Sequence, residues 1–135
     1  MKHIYRKEDA EVLRIEGDAP RTLYTLIEPK SVDTAHFAMG LEEIDPNSEI
    51  PMHSHSEAEE IIFIYGGQGK GYVGDEVADL TPGTVIYIPP NVEHRFVNTG
   101  DVPLWITWTL SPPGFEKQIR QIADGTAGME VFSES

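Results

Sequence analysis

Apolar and polar residues alternate in short runs along most of this chain, and turn signals separate the runs at close intervals. Period-two alternation over four to eight residues is the signature of strands with one face buried. The runs predict strands over Thr22–Glu28, Ala35–Ile44, Glu60–Tyr65, Gly71–Val73, Val77–Leu80, Val85–Ile88, His94–Asn98 and Leu104–Leu110. Gly74-Asp75 suits a two-residue hairpin loop, and Pro82-Gly83 suits the centre of a type II turn, where glycine accepts a positive φ. A single stretch changes period: Phe115, Ile119 and Ile122 fall at i, i+4 and i+7 after Pro113, with Asp124-Gly125 as a stop. That predicts a helix over about 113–123, packed on the outside of a β-barrel rather than capping its mouth. Residues Met129–Ser135 are expected to be loose or used in a dimer contact. The pattern is that of an all-β, antiparallel protein.

Composition narrows the function. The 135 residues suit one domain, 1–135, with its core over about 35–110. Cysteine is absent, which removes disulfides, catalytic thiols and thiolate metal sites, so any metal must sit on His, Asp or Glu. The formal net charge of −13 repels nucleic-acid phosphates and anionic membranes. The N-terminal Met1–Glu11 is too polar for a signal peptide, and no apolar run approaches the ~20 residues that span a bilayer. A cytoplasmic protein with a small-molecule substrate, and neither nucleic acid nor membrane as partner, is expected.

Candidate chemistry gathers in two stretches. Ile50–Gly67 reads IPMHSHSEAEEIIFIYGG. On a strand, the spacing of His53 and His55 puts both side chains on the same face, their Cα atoms about 6–7 Å apart, within reach of a common ion. Glu59 and Glu60 begin the next strand on opposite faces. Both faces of that strand are apolar, Ile62 and Ile64 with Glu60 and Ile61, Phe63 and Tyr65 with Glu59, so periodicity does not choose between the carboxylates and both faces can be covered. The second stretch, Gly83–Asn98, reads GTVIYIPPNVEHRFVN and places His94 just past a rigid turn.

Together these stretches resemble the cupin superfamily. Its first motif, G(X)5HXH(X)3-4E(X)6G, is matched by His53, His55, Glu60 and Gly67, with Asn47 in place of the leading glycine. Its second, G(X)5PXG(X)2H(X)3N, is matched by Gly83, Pro89, His94 and Asn98, with Asn91 in place of the inner glycine. Asparagine tolerates the left-handed backbone better than most residues, so both turns can survive. The resemblance implies a jelly-roll β-barrel holding one divalent transition metal ion (Mn, Fe, Ni, Cu or Zn) on His53, His55, Glu60 and His94. It favours Glu60 over Glu59. It also implies a homodimer, with Thr22–Glu28 as the strand that joins a partner's sheet.

Three imidazoles and a carboxylate suit first-row transition metals over Ca or Mg, and leave two positions of an octahedral ion for substrate or water. A metal-dependent dioxygenase or other oxidoreductase on a small oxygenated molecule is the first expectation. A Lewis-acid isomerase, lyase or cyclase is the second, and a non-catalytic sensor or binding module the third. His36 and Tyr24 are candidate groups acting beside the metal ligands. Gly69–Gly74 matches GxGxxG, but a hairpin follows it where a dinucleotide site needs a helix N-terminus.

Overall fold

The computed structural model describes residues 2–132. It has ten strands: β1 (Glu11–Ile15), β2 (Arg21–Ile27), β3 (Ala38–Ile44), β4 (Glu49–His53), β5 (Glu59–Gly66), β6 (Gly69–Val73), β7 (Glu76–Leu80), β8 (Val85–Ile88), β9 (His94–Asn98) and β10 (Leu104–Ser111). One α-helix follows, α1 (Phe115–Ala123), and short 3₁₀ turns occupy Lys7–Asp9 and Met129–Phe132. The strands form two antiparallel sheets, β1-β2-β3-β10-β5-β8 and β4-β9-β6-β7. Their inner faces meet as a jelly roll. None of the described helices is long and apolar enough to cross a membrane.

Alternation decides which side chains enter. On β5, Glu60, Ile62 and Ile64 are buried while Glu59, Ile61, Phe63 and Tyr65 face out. On β10 the inward row is Leu104, Ile106, Trp108 and Leu110. Trp108 sits opposite Gly40 of β3, where a Cβ would lie 2.6 Å from its ring, so this position has to lack a side chain. The outer face of β5 and β8 is not covered: Ile61, Val85 and Tyr87 are each at least half exposed. The sequence pattern allowed a sheet buried on both sides, but one side of this region lies open.

The buried apolar residues form two clusters. One fills the barrel between the sheets, with Ile44, Ile62, Ile64, Phe96, Leu104 and Ile106 at its centre. The other gathers at one end around Leu23, Trp108, Leu110, Phe115, Ile119 and Phe132. His53, Glu60 and His94 line a cavity walled by members of both.

Three expectations are corrected here. The helix does not pack on the outside. Phe115 and Ile119 enter the end cluster, and Phe115 meets Trp108 edge-on with ring centroids 4.9 Å apart, so α1 closes the barrel mouth. Its polar side is tied down by Arg120, whose Nε donates to Glu11 Oε1 of β1 at 2.9 Å and whose Nη2 pairs with Glu28 just after β2. Nor are the C-terminal residues loose as far as they are described, since Phe132 is 1% exposed and belongs to the same cluster. Burying such a side chain is worth about 2–3 kcal/mol, enough to hold a short segment. Residues 133–135 lie outside the described ones. Finally, β2 runs between β1 and β3 of its own chain, so the strand expected to join a partner has no free edge.

Two strands went unpredicted. β1 is a short edge strand, mostly half-exposed or exposed, and β4 carries Pro51 in its interior. The hairpin at Gly74-Asp75 joins β6 to β7 as expected, with Val73 paired to Glu76. Gly69 and Gly71 lie within β6. A Cβ on Gly69 would meet Val97 O at 2.3 Å, so close strand approach explains that glycine, and no helix follows for a phosphate.

Candidate metal centre

Strand ends and one turn bring the motif residues together. His53 closes β4 and His94 opens β9, and the two face each other across the β4–β9 ladder. His55 is not on the same strand as His53, as the spacing suggested. It lies beyond the end of β4, and its backbone is fixed from the side: His55 O accepts a 2.7 Å hydrogen bond from Asn91 N. Asn91 has φ 68° and Asn47 has φ 63°, so both asparagines adopt the left-handed turn conformation expected where the motif glycines are missing. Glu60 points inward from the second position of β5.

The rings converge. Centroids of His53 and His94 lie 4.2 Å apart, those of His53 and His55 5.0 Å, and those of His55 and His94 5.5 Å. One nitrogen from each imidazole lies within 4.8 Å of the other two, so this group can hold a metal ion. Glu60 Oε1 approaches His94 Nε2 at 3.3 Å and His55 Nε2 at 3.6 Å. His94 is 1% exposed and His55 and Glu60 5% each, so bulk solvent does not reach them.

Hydrogen bonding sets which atoms are free. His53 Nδ1 lies 2.8 Å from Pro51 O, and His94 Nδ1 2.9 Å from Val92 O. A carbonyl only accepts, so each Nδ1 carries a proton, which leaves Nε2 as the ring atom turned towards the cluster. His55 Nε2, His94 Nε2 and Glu60 Oε1 are buried without any hydrogen-bond partner. Leaving one such atom unpaired costs about 1–3 kcal/mol, and three facing one another is a gap in the polar accounting that a cation closes. Burial first, and the neighbouring imidazoles second, push His53 well below the usual histidine range. Burial also lowers His55, against the pull of Glu60. Both rings are therefore neutral at pH 7, the form that ligates.

A cavity of about 20 Å³ adjoins the cluster, walled by residues of both apolar clusters, including Ile62, Phe96, Trp108, Phe115 and Phe132. That is room for one water-sized molecule. Phe132 lies 5.0 Å from His53 and 5.1 Å from His55, ring centroid to ring centroid.

Two buried charged residues beside the cluster escaped the sequence reading. Arg21 and Glu42, 2% and 3% exposed, also line this cavity and form an ion pair, Arg21 Nε donating to Glu42 Oε2 at 3.0 Å. Burial pushes the Glu42 carboxyl up to about 7, Arg21 opposing and Glu60 reinforcing the shift. A signal for Glu42 existed: it continues the Ala38–Gly40 row of β3, which points inward. The two candidates named instead are elsewhere. His36 is exposed beside Phe37, and Tyr24 lies on the outer face against Trp105, under the Lys7 ammonium.

Fold and site together define a jelly-roll barrel with three buried imidazoles and a carboxylate gathered at one mouth. The chain belongs to the cupin family: the cupin domain matches residues 40–110. SchB of Streptomyces halstedii is 31% identical over 105 residues, 78% of this chain and 74% of that protein. Polyketide synthase CurC of Streptomyces cyaneus is 30% identical over 109 residues, 79% and 71% of the two chains. Protein MJ1618 of Methanocaldococcus jannaschii is 38% identical over 66 residues, about half of each protein (49% and 53%). Among solved structures, a predicted oxalate decarboxylase of Thermotoga maritima superposes with a TM-score of 0.74 at 17% identity, covering 82% of this chain and all of that one. The polyketide cyclase RemF of Streptomyces resistomycificus gives 0.70 at 24%, covering 84% and 80%. Cupins commonly bind a metal, and the His53, His55 and His94 group is where this one can.

Proposed function

We propose that this cupin is a metal-dependent enzyme that moves a proton on a small oxygenated substrate, in the isomerase, lyase or cyclase class. The observation that carries the reading is the set of three unpaired buried ligand atoms, His55 Nε2, His94 Nε2 and Glu60 Oε1, facing one another with Glu42 in the wall of the same cavity. A divalent transition metal on His53, His55, Glu60 and His94 supplies Lewis-acid polarisation of a carbonyl oxygen. The remaining work falls to the chain. With its carboxyl near 7, Glu42 is divided between acid and base at neutral pH, so one of its oxygens can take a proton from carbon and return it. Arg21 holds Glu42 Oε2 in place. Phe115 and Ile119 keep bulk water from the exchange. The polyketide names of CurC and RemF point the same way, because aromatic ring closure of a polyketone proceeds through enolisation.

The dioxygenase reading stays as the alternative, favoured by the apolar wall and by a donor set that also suits iron. One experiment separates them: protein loaded with zinc, manganese or iron is given simple ketones and β-diketones in deuterated water, with an oxygen electrode in parallel. Deuterium entry at the carbon beside the carbonyl, dependent on metal and slowed by Glu42→Gln, supports the proposal. Oxygen uptake with iron and no deuterium entry with zinc would replace it by the dioxygenase.

A further inference from the structure

We infer that Arg21 is the seat for a negatively charged oxygen of the substrate, so that the enzyme selects a small organic anion, a carboxylate, held at one end by the metal and at the other by this guanidinium. The inference rests on the metal-centre reading above. Arg21 is an unusual wall residue: it is 2% exposed, it carries a permanent charge, and it shares the cavity with His53, Glu60 and His94. Its bonds are incompletely filled. Nε goes to Glu42 Oε2, and Nη1 to the Ala19 carbonyl at 2.8 Å. Nη2 meets only Met129 Sδ among the described residues, at 3.6 Å. A thioether is a weak acceptor and a poor partner for a buried cation, whereas a carboxylate makes the short, charge-assisted bond that a guanidinium fork favours.

The position of Met129 links this vacancy to access. It opens the turn Met129–Phe132 that carries Phe132 onto His53 and His55. The cavity of about 20 Å³ holds no more than a water-sized guest while that turn is in place. Moving the turn aside therefore does two things at once: it opens room over the histidines and strips the sulfur from Nη2. An entering carboxylate takes over the donor that Met129 gives up. Charge favours this occupant. A divalent ion with Glu60 has a net charge of +1, Arg21 adds another, and Glu42 offsets at most one, so the pocket is positive inside a chain of formal charge −13. A neutral analogue gains only the weaker bond of an uncharged acceptor from Arg21.

The test uses the full chain loaded with Co(II), whose visible absorption reports both metal binding and ligand entry. The probes are malate and 2-hydroxyglutarate, each against the analogue whose distal carboxylate is an amide. Both members of a pair present the same hydroxy-acid end to the metal. At least one acid should bind ten-fold or more tighter than its amide in the wild type. In the double variant Arg21→Met/Glu42→Met, which removes both buried charges and orphans neither, that preference should disappear while the cobalt spectrum remains. Equal affinity for acid and amide in both pairs overturns the inference, and this comparison needs no variant to fold. A preference that survives in the double variant places the anion elsewhere and also overturns it. Absence of any cobalt spectrum from the wild type instead removes the metal-centre reading, and the anion seat with it.

Discussion

Phe132 lies on the imidazole of His53, ring centroids 5.0 Å apart and planes at 42°, although 79 residues separate the two in sequence. The contact makes the Met129–Phe132 turn part of the roof over the candidate metal group. Truncating a fully buried Phe to Ala costs about 3–5 kcal/mol in a closed core. In a short 3₁₀ turn, which can shift to refill part of the cavity, Phe132→Ala should cost less, about 2–3 kcal/mol. It should also speed metal loss to a chelator by ten-fold or more, because the roof over His53 and His55 is gone. Thermal melts and a chelator-quench time course check both effects. Unchanged metal release would mean that Phe132 does not cover the exit path.

The carboxylate question left open by periodicity has a direct test. Glu60 is buried with Oε1 between two imidazoles, while Glu59 points out to solvent. Glu60→Gln should weaken zinc affinity by about 100-fold or more, beyond the roughly 10–100-fold that loss of an outer partner of a ligand costs. Glu59→Gln should leave it within two-fold. His94→Ala should abolish stoichiometric binding with the far-ultraviolet circular dichroism preserved, since the sheets close on apolar residues on either side of it. Elemental analysis after dialysis is sufficient, and full zinc in His94→Ala would dissolve the assigned site.

What the sequence disclosed depended on locality. The strands with clean alternation were readable to within three residues at each end, and the inward face of β9 followed from His94 and Phe96. The four clustered residues were legible because the motif spacings encode them. What escaped was set by packing between distant segments. Nothing near Phe115 shows that its ring will rest on Trp108 rather than on the outer sheet. Nothing near Phe132 shows that it will find His53. Arg21 reads as a surface cation until Glu42 is placed diagonally across from it, and that requires the β2–β3 register, in which Leu23 faces Glu42 and Arg21 faces Ile44. His36 was nominated by alternation along a stretch that is not strand before Ala38, so the face it was assigned does not exist.

The Asn91 turn separates backbone conformation from side-chain chemistry. Asn91 holds φ 68° and its N–H fixes His55 O, so the turn aims one imidazole of the candidate metal group. The left-handed conformation costs a residue with a Cβ about 1–2 kcal/mol, less for asparagine and nothing for glycine. Asn91→Gly should therefore leave stability and zinc affinity within experimental error. Asn91→Ala should lower stability by about 1 kcal/mol and zinc affinity by a few-fold. Denaturant melts and competition titrations measure the two effects, and an Ala variant indistinguishable from Gly would show that the turn bears no strain.

Buried titratable groups of opposite sense give the metal-free protein a distinctive pH response. His53 and His55 are depressed below the unfolded value of about 6.5. As pH falls through that value the unfolded chain takes up protons that the folded site refuses, so their stabilising effect is present above about 6.5 and is lost below it. Glu42 is raised to about 7 from an ordinary 4.5, so the folded state keeps a proton that the unfolded chain has released. Its stabilising effect is full below 4.5 and is lost as pH rises towards 7. Between pH 5 and 7 the two effects oppose, and the wild type should show a shallow rise of stability with pH. Glu42→Gln removes only the falling component, so its stability should climb more steeply over the same interval. Urea denaturation of chelator-treated protein at pH 5, 6 and 7 decides it. Parallel curves for wild type and variant would mean that Arg21 keeps the Glu42 carboxyl ionised throughout, and that Glu42 is not divided between acid and base at neutral pH.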